Sequence, residues 1–146
     1  GIFGPRTQGL AAPEGADFDA VMRTNVLAAM RLIPALVPPL AAAHGRLAVL
    51  SSRMGSVALM QSSSGWLYRA SKAALNGVLK AASIELGAQG IVCLALHPGW
   101  VRTDMGGAGA DIDATVSVTG MRRVIEAADA ASNGSFFDYT GERLAW

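Results

Sequence analysis

The sequence has a single cysteine, two histidines and few charges. Cys93 stands alone among 146 residues, so no internal disulfide can form, which fits a reducing compartment such as the cytoplasm. Inside an apolar run, Cys93 reads as a small buried residue. His44 and His97 are isolated, and no Cys/His/Asp/Glu cluster has metal-ligand spacing. Charged residues make up 16% of the chain and the net charge is +1, with no basic cluster. Nucleic acid and acidic membrane surfaces are therefore poor partners. No apolar stretch reads as the roughly 18 residues a membrane span requires, and no signal peptide is visible. There is no internal repeat and no initiator methionine, and the opening Gly1-Ile2-Phe3-Gly4-Pro5 suggests a fragment.

Apolar material is plentiful. Hydrophobic residues make up 51% of the chain, and its length suits one domain. Residues 1–16 are rich in glycine and proline and read as a loop. A helix is expected from Asp17 as N-cap, with Val21, Met22, Val26 and Met30 at helical spacing. Asn25 is a mediocre helix former: it is either a solvent-facing or backbone-bonded amide, or marks a held water or a local break near a site. Pro34, Pro38 and Pro39 should bend or interrupt this helix. His44-Gly45 should stop it, with His44 as a cation near its end.

Residues 46–52 read as a continuous apolar strand, covered on both faces and ending in Ser51-Ser52. A serine- and glycine-rich loop follows, in which Ser62, Ser63 and Ser64 read as capping or flexible; no Gly-x-Ser-x-Gly elbow is present. A second helix is expected over residues 66–86. Its two stripes, Leu75, Leu79, Ala82, Leu86 and Ala74, Val78, Ala81, suggest two packing partners, one the sheet and the other a second subunit. Residues 91–96 form a second strand, stopped by His97-Pro98-Gly99. A flap over residues 100–113, a third helix over 114–131, a short strand over 134–139 and a tail in which Trp146 packs down complete the chain.

Strand, helix, strand in this order implies a right-handed parallel crossover. Ser52 and Pro98-Gly99 then lie at the carboxyl edge of the sheet, where open α/β folds bind ligands. Tyr68 stands in the first turn of the helix that starts there. Lys72 is four residues on, so both side chains share one face. An ammonium beside a phenol favours the phenolate and lowers its pKa. Such a phenol can exchange a proton with a substrate oxygen that Ser52 hydrogen-bonds. Tyr-x-x-x-Lys alone is a weak pattern.

In combination, Thr24-Asn25-Val26, Leu50-Ser51-Ser52, Tyr68-Arg69-Ala70-Ser71-Lys72-Ala73-Ala74-Leu75-Asn76 and Pro98-Gly99-Trp100-Val101-Arg102-Thr103-Asp104-Met105 resemble, in order, the motifs of the short-chain dehydrogenase/reductase family. The ending from Phe136 to Trp146 is similar to its C-factor-like branch. The resemblance implies an α/β, Rossmann-type doubly wound parallel sheet, present as its C-terminal part of about three strands and three helices, within one NAD(P)-binding domain spanning residues 1–146. It implies hydride transfer between NADP or NAD and a carbonyl/alcohol substrate. Tyr68 would be the acid/base; Lys72 would lower its pKa and hold the nicotinamide ribose. Ser52 would polarise the oxygen, and Asn25 would hold a water linking Lys72 to solvent. Pro98, Gly99, Val101 and Thr103 would contact the nicotinamide. Ser52 and Tyr68 are somewhat further apart than the family pattern, so Ser51, Ser56 and Ser62 stand as alternatives to Ser52.

The family's T-G-x-x-x-G-x-G turn, with the residue that chooses NAD or NADP, is absent. Gly1 resembles the glycine of its Asn-Asn-Ala-Gly segment, so roughly the first third of the fold would precede it. That would leave an apolar strand edge open. The helices carrying Asn25 and Tyr68 imply a homodimer or homotetramer. The alternatives are an inactive or signalling protein on the same fold, and a sugar-nucleotide epimerase or dehydratase. The Pro-Gly-x-Val-x-Thr segment disfavours the latter. Substrate choice would rest with residues 103–113.

Overall fold

The computed structural model describes residues 1–6 and 9–146. A parallel pair of strands, β1 (Arg46–Leu50) and β2 (Val92–His97), is joined by the long helix α3 (Trp66–Gly87). Next to β2 lies β3 (Ser135–Asp138), also parallel, and then β4 (Arg143–Leu144), antiparallel, in the order β1-β2-β3-β4. The two-residue β4 is a strand within the expected tail. It sets Trp146 to stack on Phe136, with ring centroids 5.5 Å apart.

Alternation along β2 builds two cores. Cys93 and Ala95 point to the layer of α3, with Ile33, Leu47, Leu79, Leu86 and Phe136. Leu94 and Leu96 point to the opposite layer, with Met121 and Ala128 of and beyond α4 (Ala114–Ala127). The stripe Leu75, Leu79, Leu86 is buried as expected, while Ala81 and Ile84 face outward. Cys93 is fully enclosed, and burial pushes its thiol up to about 11. α4 follows the N-cap Asp113, whose side chain accepts from the Val116 amide, and stops at Ala127, short of the expected residue 131.

The N-terminal helix departs from expectation in three ways. It begins at Gly15 after Glu14, so Asp17 sits in the first turn rather than at the N-cap. It then runs unbroken as α1 (Gly15–Met22), a π-helical turn (Arg23–Leu27) and α2 (Ala28–Ala42), through all three prolines. Pro34, Pro38 and Pro39 are exposed, so water can take the carbonyls their missing N–H groups leave free. The third departure follows from this continuity. Gly15–Ala42 is 28 residues long, and by length and composition alone it is apolar enough to cross a membrane; the expectation that no stretch reaches that length is corrected. The helix stops just before His44-Gly45, as expected, and it is His44 that takes the left-handed conformation, at φ 45°.

β1 is the outer strand of the described sheet, only partly covered, with Leu50 58% exposed; this is the open apolar edge expected of the C-terminal part, not a strand covered on both faces.

Candidate active site

The carboxyl ends of β1 and β2 lie side by side. Leu50 pairs with Leu96, and the Ser51 amide donates to the Leu96 carbonyl at 2.8 Å. Ser52 follows in extended conformation and caps a 3-10 turn over Arg53–Gly55, its hydroxyl accepting from the Met54 amide at 3.1 Å. The turn presses on α3 at the level of Lys72. A Cβ on Gly55 would meet the Lys72 backbone carbon and Cβ at 2.7 Å. The absence of a side chain at residue 55 thus lets the serine turn touch the helix bearing Tyr68 and Lys72.

Tyr68 is 7% exposed. Phe3 stacks on its ring with centroids 4.6 Å apart, and the Arg6 guanidinium lies over Phe3 at 4.9 Å. Arg6 also donates to the Met105 carbonyl at 2.6 Å, which ties residues 100–113 back to the site. Burial holds the phenol above its ordinary pKa, and hydrogen bonding with Ser52 opposes that shift. The Ser52 oxygen at the same time accepts from the Met54 amide.

Lys72 is buried. Its ammonium donates to the Leu50 carbonyl at 2.8 Å and stands 5.6 Å from the Tyr68 ring centroid. Burial pulls its pKa down. The phenol thus lies above its ordinary value and Lys72 below its own, each because burial penalises the charged form.

Asn25 occupies the π turn, where the Ala28 amide reaches back five residues to the Arg23 carbonyl. Such turns favour functional sites. The Asn25 amide accepts from the Ile2 N–H and donates to the Ile2 carbonyl, both at 2.8 Å, and donates to Ser71 Oγ at 2.9 Å. It is thus a buried, backbone-bonded amide in a widened turn of a continuous helix, not a solvent-facing residue. A Cβ on Gly1 would lie 2.7 Å from Asn25 Oδ1 and 3.3 Å from Lys72 Nζ, so residue 1 touches both.

The structure brings Asn25, Ser52, Tyr68 and Lys72 to one rim. It separates the alternatives to Ser52. Ser51 is committed to Asn76, Ser56 donates to the Ala145 carbonyl, and Ser62 bonds the Ser64 amide. Pro98 and Gly99 stand at the same end of the sheet. Gly99 is left-handed at φ 83°, with the space for a Cβ filled by Ile112 and Tyr139. Val101 bridges Ile112, and Thr103 Oγ1 is bonded within its own loop, to the Val101 carbonyl and the Gly106 amide. Phe3, Arg6, Gly55 and Asn76 were missed in the sequence reading. Only Asn76 left a signal, being four residues past Lys72 and eight past Tyr68.

Layers and rim define the class: the C-terminal part of a Rossmann-type α/β fold. A family model described as enoyl-(acyl carrier protein) reductase matches residues 1–137. C-signal of Myxococcus xanthus is 42% identical over 132 residues, 90% of this chain and 80% of that protein. Carbonyl reductase Sniffer of D. melanogaster superposes with a TM-score of 0.92 at 32% identity, covering 98% of this chain and 62% of that one. An NADPH-bound carbonyl reductase from chicken fatty liver does so at 0.85 and 31%, covering 98% and 63%. The chain belongs to the short-chain dehydrogenase/reductase family of oxidoreductases. It spans less than two thirds of the length of those carbonyl reductases.

Proposed function

We propose that the protein containing this chain is an NADP(H)-dependent carbonyl reductase, and that the convergence of Ser52, Tyr68 and Lys72 at one rim carries that activity. Tyr68 delivers the proton to the carbonyl oxygen in reduction and removes it in oxidation. Ser52, whose oxygen accepts from Met54, would turn its hydroxyl proton from Tyr68 to the same substrate oxygen. A phenol carries its proton at neutral pH, which suits the reductive direction.

The residues present fit a nicotinamide nucleotide. Lys72 has three donors and one carbonyl partner, leaving donors for ribose hydroxyls. Pro98, Gly99, Val101 and Thr103 would line the nicotinamide end. When bound, the nucleotide supplies the hydride. The domain would comprise residues 1–146 together with the phosphate-binding part of the fold, and NADP is favoured over NAD by the NADPH-bound relative. Asn25, which bonds Ile2 and flanks residue 1 together with Lys72, would hold the water that links Lys72 to solvent.

The outward apolar residues Met30, Leu32 and Ile84 suit pairing of the Asn25 and Tyr68 helices with a second copy. The single, enclosed thiol suits the cytoplasm. A signalling role is the second reading, favoured by the 42% identity to the protein named C-signal.

The deciding experiment follows NADPH oxidation by the full-length protein across a carbonyl panel. The reductase reading predicts turnover of at least one carbonyl. Binding of NADPH without turnover of any would instead favour the signalling reading. A Met30→Glu/Ile84→Glu double variant should lower the assembled mass on gel filtration; an unchanged mass would remove the pairing.

A further inference from the structure

Asn76 lies on the face of α3 that carries Tyr68 and Lys72, one turn beyond the lysine, and it is 4% exposed. A buried amide needs partners for both its ends. Its Oδ1 accepts from the Ser51 hydroxyl at 2.5 Å, and its Nδ2 donates to the Gly55 carbonyl at 3.3 Å. Those partners flank Ser52 in the chain, one residue before it and three after. Ser51 is itself tied to β2 through the Leu96 carbonyl. Gly55 is pressed against the α3 backbone, and its amide donates to the Ser52 carbonyl at 2.8 Å.

We infer that Asn76, with Ser51 and Gly55 as its two contacts, is a positioning residue that sets the reach of the Ser52 hydroxyl toward Tyr68. The bond that aims Ser52 comes from Met54, inside the short turn. That turn has two ends, and the amide of Asn76 grips the strand at one and the returning chain at the other. Released from Asn76, the turn keeps its local bonds but loses its fixed height above α3. Misplacing a reacting group by about 1 Å can cost on the order of 10²-fold in rate, so a distant amide can govern turnover without touching substrate. The inference rests on the reading of Ser52 and Tyr68 as the proton-handling pair.

The test is a double-mutant cycle in the full-length protein. Asn76→Ala should lower kcat by at least about tenfold while leaving the KM for NADPH within about twofold. In a Ser52→Ala background, Asn76→Ala should cost less than about twofold more, because the group it positions is gone. An equal loss in both backgrounds, or no loss in either, overturns the inference. Ser51→Ala removes one hydroxyl only and should show the same coupling at smaller size; it carries the cycle if Asn76→Ala does not fold.

A second readout needs no turnover. A ring-fluorinated tyrosine placed at residue 68 titrates below tyrosine and can be followed by fluorine NMR. Loss of its Ser52 partner should raise its pKa, and Asn76→Ala should raise it too, but not further once Ser52 is alanine. An unmoved titration in Asn76→Ala overturns the inference even if the protein reduces no carbonyl. Absence of turnover with this coupling intact would defeat the reductase reading alone.

Discussion

Helices α2 and α3 are both apolar in composition, yet they are used in opposite ways. α2 buries one of its 15 residues, Ile33. α3 buries nine of 22, and four of those are the polar Ser71, Lys72, Asn76 and Ser83. The helix that reads as the more hydrophobic is the more exposed. The helix that holds the candidate chemistry takes charge and amide inside. Apolar content thus marks where a surface is available, whereas buried polarity marks where the fold accepts a cost. Buried polar groups persist only when bonded or used. In α3 the bonds are present, to Leu50, Gly55, Ser51 and Asn25.

The sharpest way to break this contrast is to remove the buried charge. Lys72→Met should cut turnover of the full-length protein by about 10²–10⁴-fold yet hold or raise the melting temperature. The sign follows from burial. The folded pKa lies below the ordinary lysine value, so between the two values the unfolded chain binds more protons. At neutral pH the ammonium therefore weighs against the fold. A large drop in melting temperature would make Lys72 a structural residue.

Two glycines probe the same helix from opposite sides. Gly55→Ala drives a Cβ into the α3 backbone and should destabilise by about 1–3 kcal/mol in denaturant melts. Gly77→Ala, on the exposed face with nothing within 4 Å, should stabilise by about 0.5–1 kcal/mol. Equal effects would erase the distinction between the faces.

The smallest effect concerns His97. Burial lowers its pKa, Asp138 across the β2–β3 pair opposes this, and Arg53 adds to it. Its Nδ1 is buried and has no hydrogen-bond partner among the described residues. With a folded pKa below the ordinary 6.5, stability should decline as pH falls from that value toward the folded one. Thermal melts of His97→Gln should show a weaker decline; an unchanged slope would assign it to other groups.

Much of this was legible in the sequence because it is periodic or punctuated. Strand β2, the span of α3 and its Leu75-Leu79-Leu86 stripe follow from residue spacing, and the rim follows from parallel strands. The unbroken N-terminal helix was not legible. Proline propensity argues for a break, and only the solvent-facing placement of Pro34, Pro38 and Pro39 cancels it. The height of the phenol pKa was hidden because spacing puts Lys72 near Tyr68 but says nothing of how deeply each is buried. Phe3 against Tyr68, and Gly55 against Lys72, are tertiary contacts between distant residues, and no local pattern announces them.

The central claim is that the Tyr68 phenol is the group that moves the proton. Its most direct test is kcat of the full-length Tyr68→Phe protein on a carbonyl that the wild type reduces, measured beside its affinity for NADPH. The account predicts a fall of about 10²–10⁴-fold with binding retained. Turnover equal to wild type would contradict it.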